Sequence, residues 1–316
     1  MASFAQILKV TAIDSHSYRV NFTDEWCIGS VPNGGVVTSV LQSVAREHFL
    51  TTLKSQNQPD CISLHADFVQ RTSAGPAVVQ VEDLKLGRQT STVRLTLVQE
   101  GRKEVLVVLT HANIALESGL SLPTAWRLDP PPPPADLVKM AAHGTDGTWT
   151  EWKSPRPDFR KASLNANMYT VRQSGRVDRG VVEQWIKLKS GENFTNTSLG
   201  FLSDMFPLMV ESYSEDEDAM ASASVSQRQL YRHWYPTLAL NLDVKKLLPE
   251  GGAKWMFVRV QSKMIANGRK DLEVIIMDQE NEIVALSHHV AMILDASRNI
   301  AKRGESGSSE SNSSKL

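Results

Sequence analysis

The sequence predicts an α+β fold built twice over, as two tandem units that each wrap an antiparallel sheet around one helix. Three observations carry this reading. An amphipathic stretch followed by strand-like runs occurs in each half of the 316 residues. Short matches between the halves recur at nearly constant offset. A proline-rich segment separates them, and the length suits two packed units.

In the first half, Asn33-Gly34-Gly35 opens an apolar periodicity over Val36 to Leu50, which predicts a helix. Runs rich in Val, Leu and Thr follow at Cys61 to Val69, Ala77 to Leu86, Thr90 to Gln99 and Glu104 to Ala115, separated by glycine-containing turns. In the second half, Gly200 opens a helix-like segment that continues through Tyr213. Strand-like runs then follow at Pro236 to Leu247, Lys254 to Ile265, Leu272 to Asp278 and Ile283 to Leu294. Leu64-His65-Ala66-Asp67-Phe68 parallels Leu240-Asn241-Leu242-Asp243-Val244. Asp67 to Asp243, Gly87 to Gly268 and Gln99 to Gln279 are 176, 181 and 180 residues apart, so a duplication accounts for the order of elements. The Pro130 to Pro134 run is unfit for a helix or sheet interior. The expected organisation is a first unit over 1–116, a Pro-rich linker over 117–161, a second unit over 162–298 and a disordered tail over 299–316.

A helix followed by antiparallel strands must bury itself against one sheet face. Two such units can join their sheets edge to edge, which removes exposed edge strands. That arrangement is a double hot-dog.

Composition narrows the function. Hydrophobic residues make up 41% and charged residues 22%, with a formal net charge of −1. The chain therefore has ample core material and no long-range attraction to nucleic acid or anionic lipid. No apolar run reaches the length of a membrane span, and Met1 to Val10 has no signal-peptide pattern. Cys27 and Cys61 fit no zinc spacing and read as buried thiols in a reducing compartment. The acidic run Glu211 to Asp218 reads as a solvated loop. The tail ends Ser314-Lys315-Leu316, a peroxisomal address that an import receptor reads when it is exposed. Peroxisomal localisation and that receptor as partner are the expectation.

Several segments carry a family resemblance. Trp26-Cys27-Ile28-Gly29-Ser30-Val31-Pro32-Asn33-Gly34-Gly35 resembles the start of the first hot-dog helix in acyl-CoA thioesterase II-like proteins. Gly87-Arg88-Gln89-Thr90-Ser91-Thr92-Val93 resembles one of the family's strand starts. Leu199-Gly200-Phe201-Leu202-Ser203-Asp204 resembles its second helix, and Ile283-Val284-Ala285-Leu286-Ser287-His288-His289 its closing strand. The resemblance covers roughly Ile13 to Leu294. It implies a water positioned by an aspartate, a threonine and a glutamine against a thioester carbonyl. The aspartate carries over to Asp204, while the glutamine position holds His289. The threonine position holds Ala239, with Thr237 two residues earlier and on the same face at strand period. The aspartate after that threonine becomes Asn241.

The catalytic candidates are therefore Asp204, His289, Thr237 and Asn241. Asn33, Gly34 and Gly35 offer backbone N–H groups at a helix start and suit an oxyanion hole. His288 and His289 alternate across a strand, so one should face the site, with an imidazole pKa near working pH. His65 and Asp67 share a strand face and read as structural. The acyl chain is expected between the two helices, against Phe201, Met205 and Trp234. No metal site and no nucleotide-binding glycine pattern is found, and no cofactor is expected beyond the CoA carried by the substrate. The resemblance implies hydrolysis of an acyl-CoA. A hot-dog lyase, dehydratase or cyclase acting on a polyketide-like thioester, or a non-catalytic acyl-CoA-binding protein, stays open. A further homo-oligomeric assembly is expected by analogy.

Overall fold

Asn33 starts the long helix, Gly34–Leu50: its side-chain oxygen accepts from the Val36 N–H at 3.1 Å and satisfies one of the orphan donors of the first turn. Val36, Val37, Val40, Leu41, Val44 and Ala45 are all fully buried beneath the first sheet half. The computed structural model describes residues 3–171, 180–207, 209–210 and 233–300. The acidic run, Tyr213 and the terminal tripeptide lie outside these residues.

The sheet half of the first unit contains Ser17–Phe22, Gly75–Lys85, Ser91–Gln99, Arg102–Ala112 and Asp60–Phe68, side by side in that order. The second half continues from Asp60–Phe68 through Thr237–Val244, Ile283–Met292, Arg269–Met277, Met256–Gln261, Val181–Leu188, Ala166–Val171 and Trp149–Glu151. All the pairings are antiparallel, and with two-residue strands at Thr11–Ala12 and Ile265–Ala266 the described residues form one 14-stranded sheet, the double hot-dog the sequence predicts. The junction lies between the duplicated segments themselves. Leu64 opposes Leu242, Ala66 opposes Leu240, and His65 opposes its own counterpart Asn241, so the local pseudo-dyad passes through that last pair. A joint in the middle of a continuous ladder leaves no edge between the units.

The second helix is much shorter than expected. It spans Leu199–Asp204 and stops where Met205 turns extended, and Pro207 keeps Phe206 from resuming it. Its start is capped by the long helix: Gln42 Oε1 accepts from the Gly200 N–H at 3.0 Å and Ser39 Oγ from the Phe201 N–H at 2.8 Å. This explains why two polar side chains of the long helix are fully buried. The helices meet at glycines. A Cβ on Gly35 would lie 2.5 Å from the Gly200 carbonyl oxygen, and one on Gly200 would lie 2.8 Å from the Ser39 nitrogen.

Residues 117–161 carry more structure than a bare linker. The helix Leu137–His143 and Trp149 pack over the outer face of the second sheet half, against Tyr169, Trp185, Trp255 and Phe257. Arg259 holds the proline segment to that face, paired with buried Glu183 and donating to the Asp129 carbonyl at 2.9 Å. Val181–Leu188 is consequently buried on both faces, its Glu183 and Gln184 included, and shows no in–out alternation. Among the described residues, no helix is long and apolar enough to cross a membrane.

Candidate active site

The close approach of the two helices brings the end of the short one against the start of the long one. Asp204, the last residue of the short helix, accepts through Oδ2 from the Gly35 N–H at 2.9 Å and from Asn33 Nδ2 at 3.0 Å. Its other oxygen, Oδ1, accepts from the Thr237 hydroxyl at 3.4 Å and lies 3.8 Å from His289 Nδ1. A carboxylate sited in an apolar helix is thus held by three donors, two from the start of the long helix and one from Thr237.

Thr237 arrives there by a route that strand alternation does not foresee. The pairing of Thr237–Val244 with Ile283–Met292 shifts between Thr237 and Ala239, so that Thr237 opposes Ala291 while Ala239 opposes Val290. Leu238 is the extra residue of this bulge. The shift turns Thr237 to the inner face, opposite to Ala239 rather than alongside it. Asn241 must be removed from the site. It is exposed on the outer face, where its Oδ1 lies 2.8 Å from His65 Nδ1 at the pseudo-dyad.

His289 is fully buried and His288 exposed, as their alternation requires. The tautomer of His289 follows from its partner. Ser287 Oγ donates its only proton to the Asn241 carbonyl, so at 2.8 Å it can only accept from His289 Nε2–H. Nδ1 is then a bare acceptor aimed at Asp204. Burial, with help from the Lys270 ammonium and then His288, pushes the imidazole down to about 3, so it is neutral at working pH. The expectation of a ring titrating near neutrality is therefore wrong: an imidazolium here would be fully buried and beside a cation. Burial pushes Asp204 the other way, up to about 6, against the opposing pull of the Gly35 N–H, Lys270, Thr237 and Arg160.

A cavity of about 220 Å³ opens beside the carboxylate. Its wall combines Phe68, Phe159, Phe206, Trp234 and Tyr235 with Gly34, Thr237, Arg160 and Lys270. Trp234 lines it as anticipated, but Phe201 and Met205 do not. Both are core residues, and Phe201 packs on Phe4 and Trp26. Lys270 escaped notice in the sequence although its signal is present. It alternates in phase with the buried Leu272, Val274 and Ile276, which puts a lysine on the inner face, with Nζ 4.2 Å from the Tyr235 ring centre. The proposed oxyanion donors are divided by the geometry. Asn33 and Gly35 are bonded to Asp204, whereas the Gly34 N–H has no acceptor among the described residues and Gly34 lines the cavity. Among the described residues, one set of three side chains offers converging metal ligands. It consists of His16, His48 and Asp83, in the first unit and away from this cavity.

Sequence models of the acyl-CoA thioesterase N-terminal and C-terminal domains match residues 22–113 and 130–293. The chain belongs to the acyl-CoA thioesterase family. It is 36% identical over 341 aligned positions to the thioesterase-like protein TwmA of Talaromyces wortmannii, covering 98% of this chain and 96% of that one. Solved structures share the fold at lower identity. A protein described as a thioesterase II from Thermobifida fusca superposes with a TM-score of 0.70 at 20% identity, covering 92% of this chain and 99% of that one. A hot-dog-fold protein of unknown function from Alicyclobacillus acidocaldarius gives 0.67 at 15% identity, over 93% of this chain and 98% of that one. The chain is an enzyme of the thioester-hydrolase class.

Proposed function

We propose that the protein hydrolyses an acyl-CoA to a free carboxylic acid and CoA, with Asp204 as the general base. One observation carries the reading: a partly buried carboxylate, its pKa raised to about 6, on the wall of a largely apolar cavity and backed by an imidazole acceptor. A base is most effective when its pKa lies just below the working pH, because it is then ionised and still basic.

Water held between Asp204 Oδ1 and the Thr237 hydroxyl attacks the thioester carbonyl carbon, and its proton passes to Asp204. The resulting Asp204 O–H finds an acceptor in His289 Nδ1, which stabilises the protonated product and so strengthens the base. Charge that develops on the carbonyl oxygen meets the Gly34 N–H at the positive end of the long helix, with the Lys270 ammonium nearby. Collapse of the tetrahedral intermediate breaks the C–S bond, and the proton on Asp204 goes to the thiolate leaving group. The neutral, buried His289 is unsuited to act as the acid of a lyase, which argues against dehydration. Arg71, Arg156 and Arg160 at the cavity give the anionic CoA moiety a cationic approach.

Thiol release from a panel of acyl-CoAs, with mass analysis of the products, tests this. A free acid and CoA in equal amounts are expected. A dehydrated or cyclised thioester, or binding without turnover, would refute it. For location, the Ser314-Lys315-Leu316 sequence supports a peroxisomal assignment through the import receptor. Imaging the chain with a fluorescent protein at its N-terminus, with and without those three residues, tests that assignment.

A further inference from the structure

Far from Asp204, near the C-terminal end of the same long helix, His48 is fully buried in a cluster that hydrolysis does not use. Its Nε2 lies 3.0 Å from Asp83 Oδ1, while His16 Nε2 lies 3.3 Å from Asp83 Oδ2. Both rings are backed by hydroxyls at their other nitrogen, with His48 Nδ1 2.9 Å from Tyr18 Oη and His16 Nδ1 2.8 Å from Ser15 Oγ. Tyr18 Oη donates to the Ser15 carbonyl at 3.3 Å, so it accepts the proton of His48 Nδ1. In a neutral His48 this leaves Nε2 as a bare lone pair facing a carboxylate oxygen. Two acceptors at 3.0 Å need an electropositive atom between them, and His16 makes the same demand on the second oxygen in the tautomer that carries its proton on Nδ1, toward Ser15 Oγ.

A single divalent ion meets both demands. Ligand atoms on a zinc ion with bonds of roughly 2.0–2.1 Å stand about 3.3 Å apart in a tetrahedron, close to the two nitrogen–oxygen separations here. All three ligand atoms lie within 4.8 Å of one another. Imidazoles that ligate through one nitrogen and donate through the other are the usual outer-shell arrangement of such sites. We propose that His16, His48 and Asp83 form a zinc-class divalent metal site with an open fourth position. The ion would clasp the turn before Ser17–Phe22, the end of the long helix and the strand Gly75–Lys85. His16 is partly exposed, with 43% of its side-chain surface accessible, and so gives the ion a way in.

Isothermal titration of ZnCl₂ into the tag-free, chelator-stripped full chain tests the site, with His16→Ala, Asp83→Asn and His65→Ala in parallel. Saturable uptake of one ion per chain is expected, together with a rise in unfolding temperature, because an ion that binds only the folded state stabilises it. His16→Ala and Asp83→Asn should each weaken uptake by at least about 100-fold, since loss of even an outer-shell partner of a ligand costs up to that much. His65→Ala, on the outer sheet face, should bind as the parent does. Replacing Zn²⁺ by Co²⁺ adds a visible absorption band that both cluster variants should lose, which separates lost coordination from lost fold. Absence of stoichiometric uptake, or equal affinity in the parent and both folded cluster variants, would overturn the proposal.

Discussion

Asp204→Asn should make the protein more stable and less active, and the gain in stability should depend on pH. Burial raises the carboxyl from its ordinary 3.8 to about 6, which means that the folded chain holds this proton more tightly than the unfolded chain. The protonated group therefore contributes its full stability below about pH 4, and that contribution is lost as pH rises to about 6. Above that, an ionised Asp204 costs about 3 kcal/mol relative to its neutral form. Asparagine carries no charge at any pH and reproduces the local bonding. Its oxygen can accept from the Gly35 N–H and Asn33, and its NH₂ can donate to Thr237 and face the bare His289 Nδ1. The variant should gain about 1–3 kcal/mol at pH 8 and almost nothing at pH 4, measured as the urea-midpoint difference from the parent at each pH. A variant less stable than the parent at pH 8, or an equal difference at both pH values, would refute this account of the carboxylate.

Other perturbations separate packing from chemistry. Gly35→Ala drives a Cβ to 2.5 Å from the Gly200 carbonyl and should cost about 1–3 kcal/mol in denaturant titrations through overpacking. Thr237→Val keeps the shape of the bulge but removes the hydroxyl, so kcat should fall about 10-fold, within the range of one hydrogen bond to a charged group, with no change in circular dichroism. His289→Leu removes the acceptor behind Asp204. The kcat should fall about 10–100-fold on the same scale, and His289→Gln, whose amide oxygen can accept, should recover most of it. Equal losses in both variants would mean that the imidazole does no more than fill space.

Much of the fold was legible because its signals are local. The long helix declares itself through Asn33, two glycines and an apolar periodicity, and each half shows its main strands as Val- and Leu-rich runs. Among the missed strands, Ser17–Phe22 alternates but is only six residues long, whereas Val181–Leu188 has no alternation to read. Val181–Leu188 is covered on its inner face by the core and on its outer face by a segment that its proline content marked as linker. Asp204 was found through the family resemblance, which a lone aspartate after Leu, Phe and Ser would not have supplied. The rest of the site depends on the bulge at Leu238, which reverses a strand's facing and has no reliable signature in one sequence. Counting residues by twos reached Thr237 for the wrong reason, as a neighbour of Ala239 on one face, and the family pattern brought Asn241 into a site that it does not face. Lys270 could have been found by the same counting, since it falls in step with Leu272 and Val274. His16, His48 and Asp83 could not, because separations of 32 and 35 residues match no local ligand pattern and only the folded sheet and helix bring them together.

The most direct measurement is the pH dependence of kcat/KM for CoA release, made on the parent and on Asp204→Asn with one acyl-CoA that the parent turns over. A base with a pKa of about 6 predicts a tenfold rise per pH unit below pH 6, a plateau toward neutrality, and rates in the variant lower by orders of magnitude throughout. A flat profile between pH 5 and 8, or a variant that matches its parent, would contradict it.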